Sequence, residues 1–258
     1  MSRLTRWMDR TLYPRHTTNW DDQLFREIIV THLHPEAVVL DLGAGAGIVP
    51  QMNFRGLAAK ICGVDPDPRV SENPYLDEAK LGLGDAIPYP DNTFDVIFAD
   101  NVLEHLEHPD QVFREVARVL KPGGIFLTKT PNRNHYVPTI SRITPHWFHQ
   151  WVNKLRGRES EDTFPTFYRA NTARDTRHWA TKSHLQSERI RLFEGRPEYL
   201  RSMALPYLAG WIYERAVNLV PGLSCFRVIV VSELRKPGIN AAERLSKDQH
   251  QAGLVRAA

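Results

Sequence analysis

Three glycines at alternate positions, Gly43, Gly45 and Gly47, directly follow the short apolar run AVVLDL (37–42). A turn without side chains lets the backbone approach a ligand closely. The free N–H groups of a helix starting just beyond such a turn point at that ligand. The spacing is GxGxG, not the GxGxxG of nicotinamide and flavin sites. Acids punctuate the runs that follow. Asp65 closes KICGVD (60–65), where a carboxylate can accept hydrogen bonds from both hydroxyls of a ribose and would repel a 2′-phosphate. Pro66 ends that run. Asp85 and Ala86 lie in a turn after Leu83, suited to an adenine amino group and a ring nitrogen respectively. Asp100 and Asn101 stand at the end of FDVIFAD (94–100), in the same crevice. A lone loop aspartate is usually a turn former or a cap. Four such elements, in this order and context, point to a nucleoside site.

The elements that must position these residues are short. AVVLDL, KICGVD, FDVIFAD and IFLTKT (125–130) are apolar on both faces and bounded by breakers, as buried strands are. Residues 21–33 place Leu24, Phe25, Ile28, Ile29 and Leu33 at helical spacing. A helix is expected to begin near Ile48, after the glycines, and another over DQVFREVARVL (110–120), stopped by KPGG (121–124). Alternating strands and helices predict a mainly parallel sheet covered by helices, with its ligand crevice beyond the carboxyl ends of the strands. Further on, HWFHQWVNKL (146–155) and TRHWATKSHLQSERI (176–190) are expected as helices, the second feeding a strand at IRLFEG. A helix is expected from Leu205 to Leu219 and a strand over CFRVIVVSEL (225–234). The segment 203–223 is unusually apolar and is expected to be buried over the sheet, with an interfacial helix as the alternative.

Composition bounds the class. With 258 residues and 42% hydrophobic content the chain can fill one core. Two cysteines, Cys62 and Cys225, are too few for a disulfide scaffold or a metal cluster and are expected as buried thiols. No metal site is expected. The first residues lack a continuous apolar segment, and no run of 18 apolar residues occurs, so the expectation is a cytoplasmic protein without a membrane span. Residues 133–201 carry 13 Lys and Arg against 7 Asp and Glu, which suits an anionic partner.

On VLDLGAGAG (39–47), GVDPDP (63–68), LGDAIPYPDNTFDVIFADNVLEHL (83–106), LKPGG (120–124) and IFLTKTPN (125–132), the first 130 residues resemble the class I S-adenosylmethionine-dependent methyltransferases, in particular their small-molecule, type 11-like group. The resemblance covers about half of the chain. It implies a Rossmann-like α/β fold: a seven-stranded, mostly parallel sheet with helices on both faces and an antiparallel last strand inserted between the fifth and sixth. CFRVIVVSEL suits that last strand and IRLFEG the sixth. It also implies S-adenosyl-L-methionine as cofactor. Asp41 and the loop of Gly43, Ala44, Gly45 and Gly47 would then lie by its methionine part. Asp65, followed by Pro66, would hold the ribose, Asp85 and Ala86 would frame the adenine, and Asp100 and Asn101 would floor the sulfonium end. The stretch after the fifth strand is longer than a minimal member needs. Residues 133–201 are therefore expected as a helical substrate lid within a domain of 21–235, between a cover segment (1–20) and a loosely ordered tail (236–258).

Methyl transfer from a sulfonium is a direct substitution that needs the reacting atoms in line. A hydroxyl acceptor gains from a base, and histidine suits that role. His105, in NVLEHLEH, is the first candidate; His135 and Tyr136, just after the fifth strand, are the second. His146 could line an acceptor pocket, and Arg169, Arg174 and Arg177 could grip a phosphate or carboxylate. The expected partner is a small molecule, methylated at a hydroxyl and carrying an anionic or sugar-linked group. A nucleic acid is disfavoured, because the arginines form no continuous tract and the fourth-strand motif lacks Asn/Asp-Pro-Pro-aromatic. A protein acceptor, or a non-catalytic cofactor-binding or assembly module, are the remaining alternatives.

Overall fold

The computed structural model describes residues 3–14, 19–143 and 165–238, with side chains for all of these but 140–143. Helix α1 (Arg3–Leu12) and helix α2 (Trp20–Val30) precede the sheet. Phe25, Ile28 and Ile29 form the buried face of α2, and Asp21 and Asp22 lie in its first turn, where the helix dipole favours negative charge. Then come β1 (Val38–Leu42), β2 (Lys60–Asp65), β3 (Glu78–Leu81), β4 (Phe94–Asp100), α3 (Pro109–Val119), β5 (Leu120–Pro131), α4 (Tyr136–Ile143), α5 (Ala173–Lys182), β6 (Gln186–Phe193), α6 (Ala204–Leu219) and β7 (Ile229–Arg235).

The seven strands form one sheet in the order β3-β2-β1-β4-β5-β7-β6. Strands β1 to β5 pair in parallel, and β7 runs antiparallel to both β5 and β6. This is the Rossmann-like arrangement, with the last strand between the fifth and sixth and a helical insertion after the fifth. One face buries Phe94, Ile97 and Phe126 under Phe113 and Val116 of α3 and Ala180 of α5; the other buries Val39, Phe98 and Leu127 under α2. A third, separate cluster of Met8, Tyr13 and Tyr207 joins α1 to α6.

Several expectations are corrected. No α-helix starts at Ile48; a single 3-10 turn, Pro50–Met52, follows the glycines. The cause is local: Val49 precedes a proline and is held extended (φ −105°, ψ 100°). KPGG does not separate α3 from a strand but lies inside β5. Pairing jumps from Phe94 with Leu120 to Val96 with Ile125, so residues 121–124 bulge out of the ladder. The helix expected over 176–190 ends at Lys182, and a left-handed His184 (φ 57°) turns the chain into β6. Residues 225–228 are not strand: Pro221–Phe226 is a 3-10 turn, and β7 begins at Ile229. Cys62 is buried, but Cys225 is exposed. The segment 203–223 buries one helical face only, through Tyr207, Gly210, Glu214 and Val217; Leu205, Ile212 and Leu219 are exposed. Among the described residues no helix is long and apolar enough to cross a membrane. The helix expected over 146–155 and most of the tail, from 239 on, lie outside the described residues.

One buried cation binds the two halves of this frame. Lys129, in β5, is fully buried. Its Nζ meets Asp22 and Asp21 (3.2 Å) at the start of α2 and Asp100 (3.0 Å) at the end of β4. Removing one partner of a buried ion cluster leaves the others uncompensated. Lys129→Met is therefore expected to lower unfolding free energy by about 3–5 kcal/mol, read as a fall in the urea midpoint at unchanged slope.

Candidate functional site

The glycine loop leaves β1 with Gly43, Gly45 and Gly47 all at positive φ (84°, 49° and 70°). Two are enforced by close approach as well. A Cβ at Gly43 would stand 2.3 Å from Val102 Cγ2, and one at Gly47 would stand 2.3 Å from Asn73 Oδ1. In front of Gly45, by contrast, the space is open for 4 Å. With no helix behind it, the loop is braced from the side. Asn73 Nδ2 donates to the carbonyls of Ala44 (2.9 Å) and Gly45 (3.2 Å), and its Oδ1 accepts from Tyr75 N. The sequence offered no sign of this role, since Asn73 sits in a proline-rich loop 28 residues away.

Asp41, Asp65 and Asp100 end or nearly end three adjacent strands, β1, β2 and β4, so their carboxyls gather at one edge of the sheet. Asp65 accepts from Gly45 N through Oδ2 (2.9 Å) and from Asp67 N through Oδ1 (2.8 Å). Each oxygen keeps a further lone pair for a hydroxyl donor. Burial, then the charges of Asp100 and Asp65, hold the Asp41 carboxyl well above the usual carboxylate range. Burial also raises Asp100 to about 7, against the pull of Lys129. Asp100 Oδ1 is buried without a well-directed hydrogen bond. Asn101 follows in the left-handed region (φ 54°), its N–H held by the Lys129 carbonyl. Beside β2, Asp85 is half-buried and Ala86 exposed, the Ala86 N–H donating to Leu83 (3.2 Å). Pro66 directs the chain from Asp65 to Asp67. Open space at Gly45, a carboxylate with spare lone pairs and two desolvated acids fit a ribose-bearing ligand that also carries positive charge.

Next along the sheet, His105 follows β4 in a 3-10 turn. Its Nδ1 lies 2.9 Å from the Pro165 carbonyl. A carbonyl can only accept, so Nδ1 carries a proton in this contact. The neighbouring Glu104 is buried; its Oε2 accepts from Thr130 Oγ1 (3.0 Å), and its carbonyl accepts from Phe167 N and Tyr168 N. Burial raises this carboxyl to about 7. The segment 165–169 is thereby tied to the turn after β4. Arg169 belongs to that tie, donating from Nη1 to the Glu107 carbonyl (2.6 Å).

His135, after β5, is fully buried, and burial lowers it to about 4. Its Nδ1 accepts from Val137 N (3.3 Å), and its Nε2 faces Glu194 Oε2 at 3.5 Å. Tyr136 and Tyr213 pack on the ring, with centroids at 4.1 and 5.5 Å. Burial raises Glu194 to about 8. Sequence reasoning did not find Glu194, Tyr213 or Glu104, because each is set by distant packing. Arg174 and Arg177 are exposed and line, with Arg133 and His178, a recess of about 720 Å³. His146 lies outside the described residues.

Three buried carboxyls, Asp100, Glu104 and Glu194, therefore hold protons that the unfolded chain has released by about pH 4–5. Over that interval the native state binds more protons than the unfolded one, so stability falls as pH rises. Thermal denaturation of the ligand-free protein is expected to show a midpoint that drops from pH 5 to pH 8, with a smaller drop in Glu194→Gln.

A family model described as a methyltransferase domain matches residues 40–128. A "probable S-adenosylmethionine-dependent methyltransferase" of Mycolicibacterium smegmatis is 33% identical over 167 residues, covering 58% of this chain and 63% of that protein. A demethylmenaquinone methyltransferase of Symbiobacterium thermophilum is 34% identical over 115 residues, covering 40% of this chain and 46% of the relative. The chain thus spans less than two thirds of these relatives' lengths. Among solved structures, an S-adenosylmethionine-dependent methyltransferase of Mesorhizobium loti superposes with a TM-score of 0.54 at 16% identity, over 84% of this chain and 96% of the other. At that identity the likeness is one of fold.

Proposed function

We propose that this chain is a class I S-adenosylmethionine-dependent methyltransferase and that it transfers a methyl group from S-adenosyl-L-methionine to a hydroxyl of a small molecule; the matches to the methyltransferase-domain model and to the mycobacterial relative support this reading. The observation that carries this reading is the crevice at the ends of β1, β2 and β4. An open glycine loop there meets a carboxylate with spare lone pairs and two acids left without adequate counter-charge.

The cofactor, when bound, supplies an electrophilic methyl carbon on a positively charged sulfur. Everything else falls to the chain. Asp65 holds the two ribose hydroxyls, and Asp85 with the Ala86 backbone takes the adenine edge. Asp41, Asp100 and the loop of Gly43, Ala44, Gly45 and Gly47 take the cationic amino-acid end, with Asn101 beside them. Filling the crevice removes water, which strengthens these interactions. His105 would serve as the base: it would take the proton of the acceptor hydroxyl as that oxygen bonds the methyl carbon and the methyl–sulfur bond breaks, its electron pair staying on sulfur. His135, neutral and buried, holds the wall of the acceptor chamber with Tyr136, and does not exchange protons near neutral pH. The described parts of 133–201 would border the acceptor through His135, Tyr136 and the segment 165–169. The recess of Arg133, Arg174 and Arg177 supports an anionic group on that molecule. Quinone-type and isoprenoid acceptors are named among the relatives and structural neighbours, which supports a small-molecule substrate.

Two variants separate the roles. Asp65→Ala is expected to weaken S-adenosylmethionine binding at least tenfold by calorimetry, the loss of hydrogen bonds to a charged group. Unchanged affinity in the folded variant would take the ribose role from Asp65. His105→Ala is expected to cut turnover about 100-fold while leaving cofactor affinity within twofold. Full turnover would end its assignment as base.

A further inference from the structure

The outer face of α6 is apolar and has no partner among the described residues. Leu205, Leu208, Ile212 and Leu219 recur at intervals of three, four and seven residues along it, which keeps them on one helical face. All four are exposed, Leu205 by 79% and Leu219 by 76%. They line the side opposite Tyr207, Gly210, Glu214 and Val217, which turn inward. Helix α1 packs beside α6 through Met8 and Tyr207 and adds Leu4 and Trp7, the latter 59% exposed. Arg3, Arg6 and Arg10 share that outer face of α1; Arg215 on α6 is exposed too, but its Nε is paired with the buried Glu214 (3.1 Å). Within 3–12 and 202–226 no acidic side chain is exposed. Asp9 is paired with Arg201, and Glu214 is buried beneath Tyr13.

The topology puts this face at the site end of the sheet. Strand β6 runs parallel to β5, because both oppose β7. So β6 ends, and β7 begins, at the carboxyl end, and α6 joins them there. Its inner side carries Tyr213 onto the buried His135 ring, the wall proposed above for the acceptor.

We propose that the outer face of α1 and α6 docks on a bilayer containing anionic phospholipid. Large apolar side chains interleaved with arginines, on a helix too short to span, are the composition of an interfacial surface. The exposed Arg3, Arg6 and Arg10, with no exposed acid on α1 beside them, match a negative headgroup layer. A second copy of the chain is a poorer occupant: a two-fold contact would set the same arginines against each other with no exposed acid to pair. Docked in this way, the chamber behind α6 lies next to the bilayer, within reach of amphiphilic acceptors.

The test is flotation of the full chain, without cofactor, with vesicles of equal parts phosphatidylglycerol and phosphatidylcholine, against vesicles of phosphatidylcholine alone. The protein is expected to float with the anionic vesicles and to partition at least tenfold less onto the neutral ones. Two paired substitutions, Leu205→Glu with Ile212→Glu and Arg6→Glu with Arg10→Glu, should each lower the anionic partition at least tenfold. Both should keep the wild-type thermal midpoint and S-adenosylmethionine affinity. Four results would overturn the proposal: no flotation of wild type, equal partition onto both vesicles, flotation indifferent to both pairs, or a dimer in solution that the Leu205 and Ile212 pair dissolves. None of them bears on methyl transfer, so the two readings fail separately.

Discussion

A lysine ammonium shut away from water has to be compensated, and the way Lys129 is compensated organises the whole site end of the sheet. Its three acids come from two places: Asp21 and Asp22 from the first turn of α2, and Asp100 from the end of β4. The arrangement joins the helix that covers one face of the sheet to the floor of the crevice. It leaves charge out of balance on purpose-built ground, because three carboxylates surround one cation and Asp41 and Asp65 stand nearby. Burial pushes Asp41 and Asp100 toward their protonated forms. A ligand with positive charge at that point would relieve the excess, which is the physical content of a cofactor preference in this crevice.

The second constraint is how little regular structure the loop over that floor has. In many parallel sheets the turn after the first strand leads into a helix whose N–H groups face the ligand. Here Val49 and Pro50 forbid the helix, and Pro66, Pro68 and Pro74 keep the connection from β2 to β3 short and irregular. The loop is held by side-chain bonds from Asn73 and by Asp65 accepting from Gly45. Asp65 therefore faces both ways, fixing the loop and offering its remaining lone pairs outward.

Much of this was legible in the sequence, and the rest fails for identifiable reasons. Short doubly apolar runs marked β1, β2, β4 and the outer part of β5, because parallel strands buried on both faces leave that pattern. The glycines and the strand-end acids were legible because chemistry fixes residue type there. The helix expected at Ile48 was not a hidden failure: the Val-Pro pair that prevents it is local and could have been weighed. Lys129 was also visible in principle, as a charge within an apolar strand, but two of its three partners, Asp22 and Asp21, lie 107 and 108 residues away. Glu194, Tyr213 and Asn73 carried no local signal. The apolar segment 203–223 misled for another reason. Hydrophobicity usually means burial, yet α6 spends it on both faces, and only the fold tells which face has a partner.

The region beyond β5, proposed above as the acceptor side, is built from different material. His135, Tyr136, Tyr213 and Glu194 form a desolvated wall, and His105 is aligned by a carbonyl from the segment that returns after the insertion. The acid-lined crevice and this wall thus depend on separate elements that meet beyond β4 and β5. The most direct test of the central claim is calorimetric titration of the full chain with S-adenosylmethionine near pH 7, repeated in two buffers of different ionisation enthalpy. The acid-floored crevice predicts selective micromolar binding with net release of protons, as positive charge lowers the raised carboxyls. Folded protein that fails to bind, or binds with proton uptake, would contradict it.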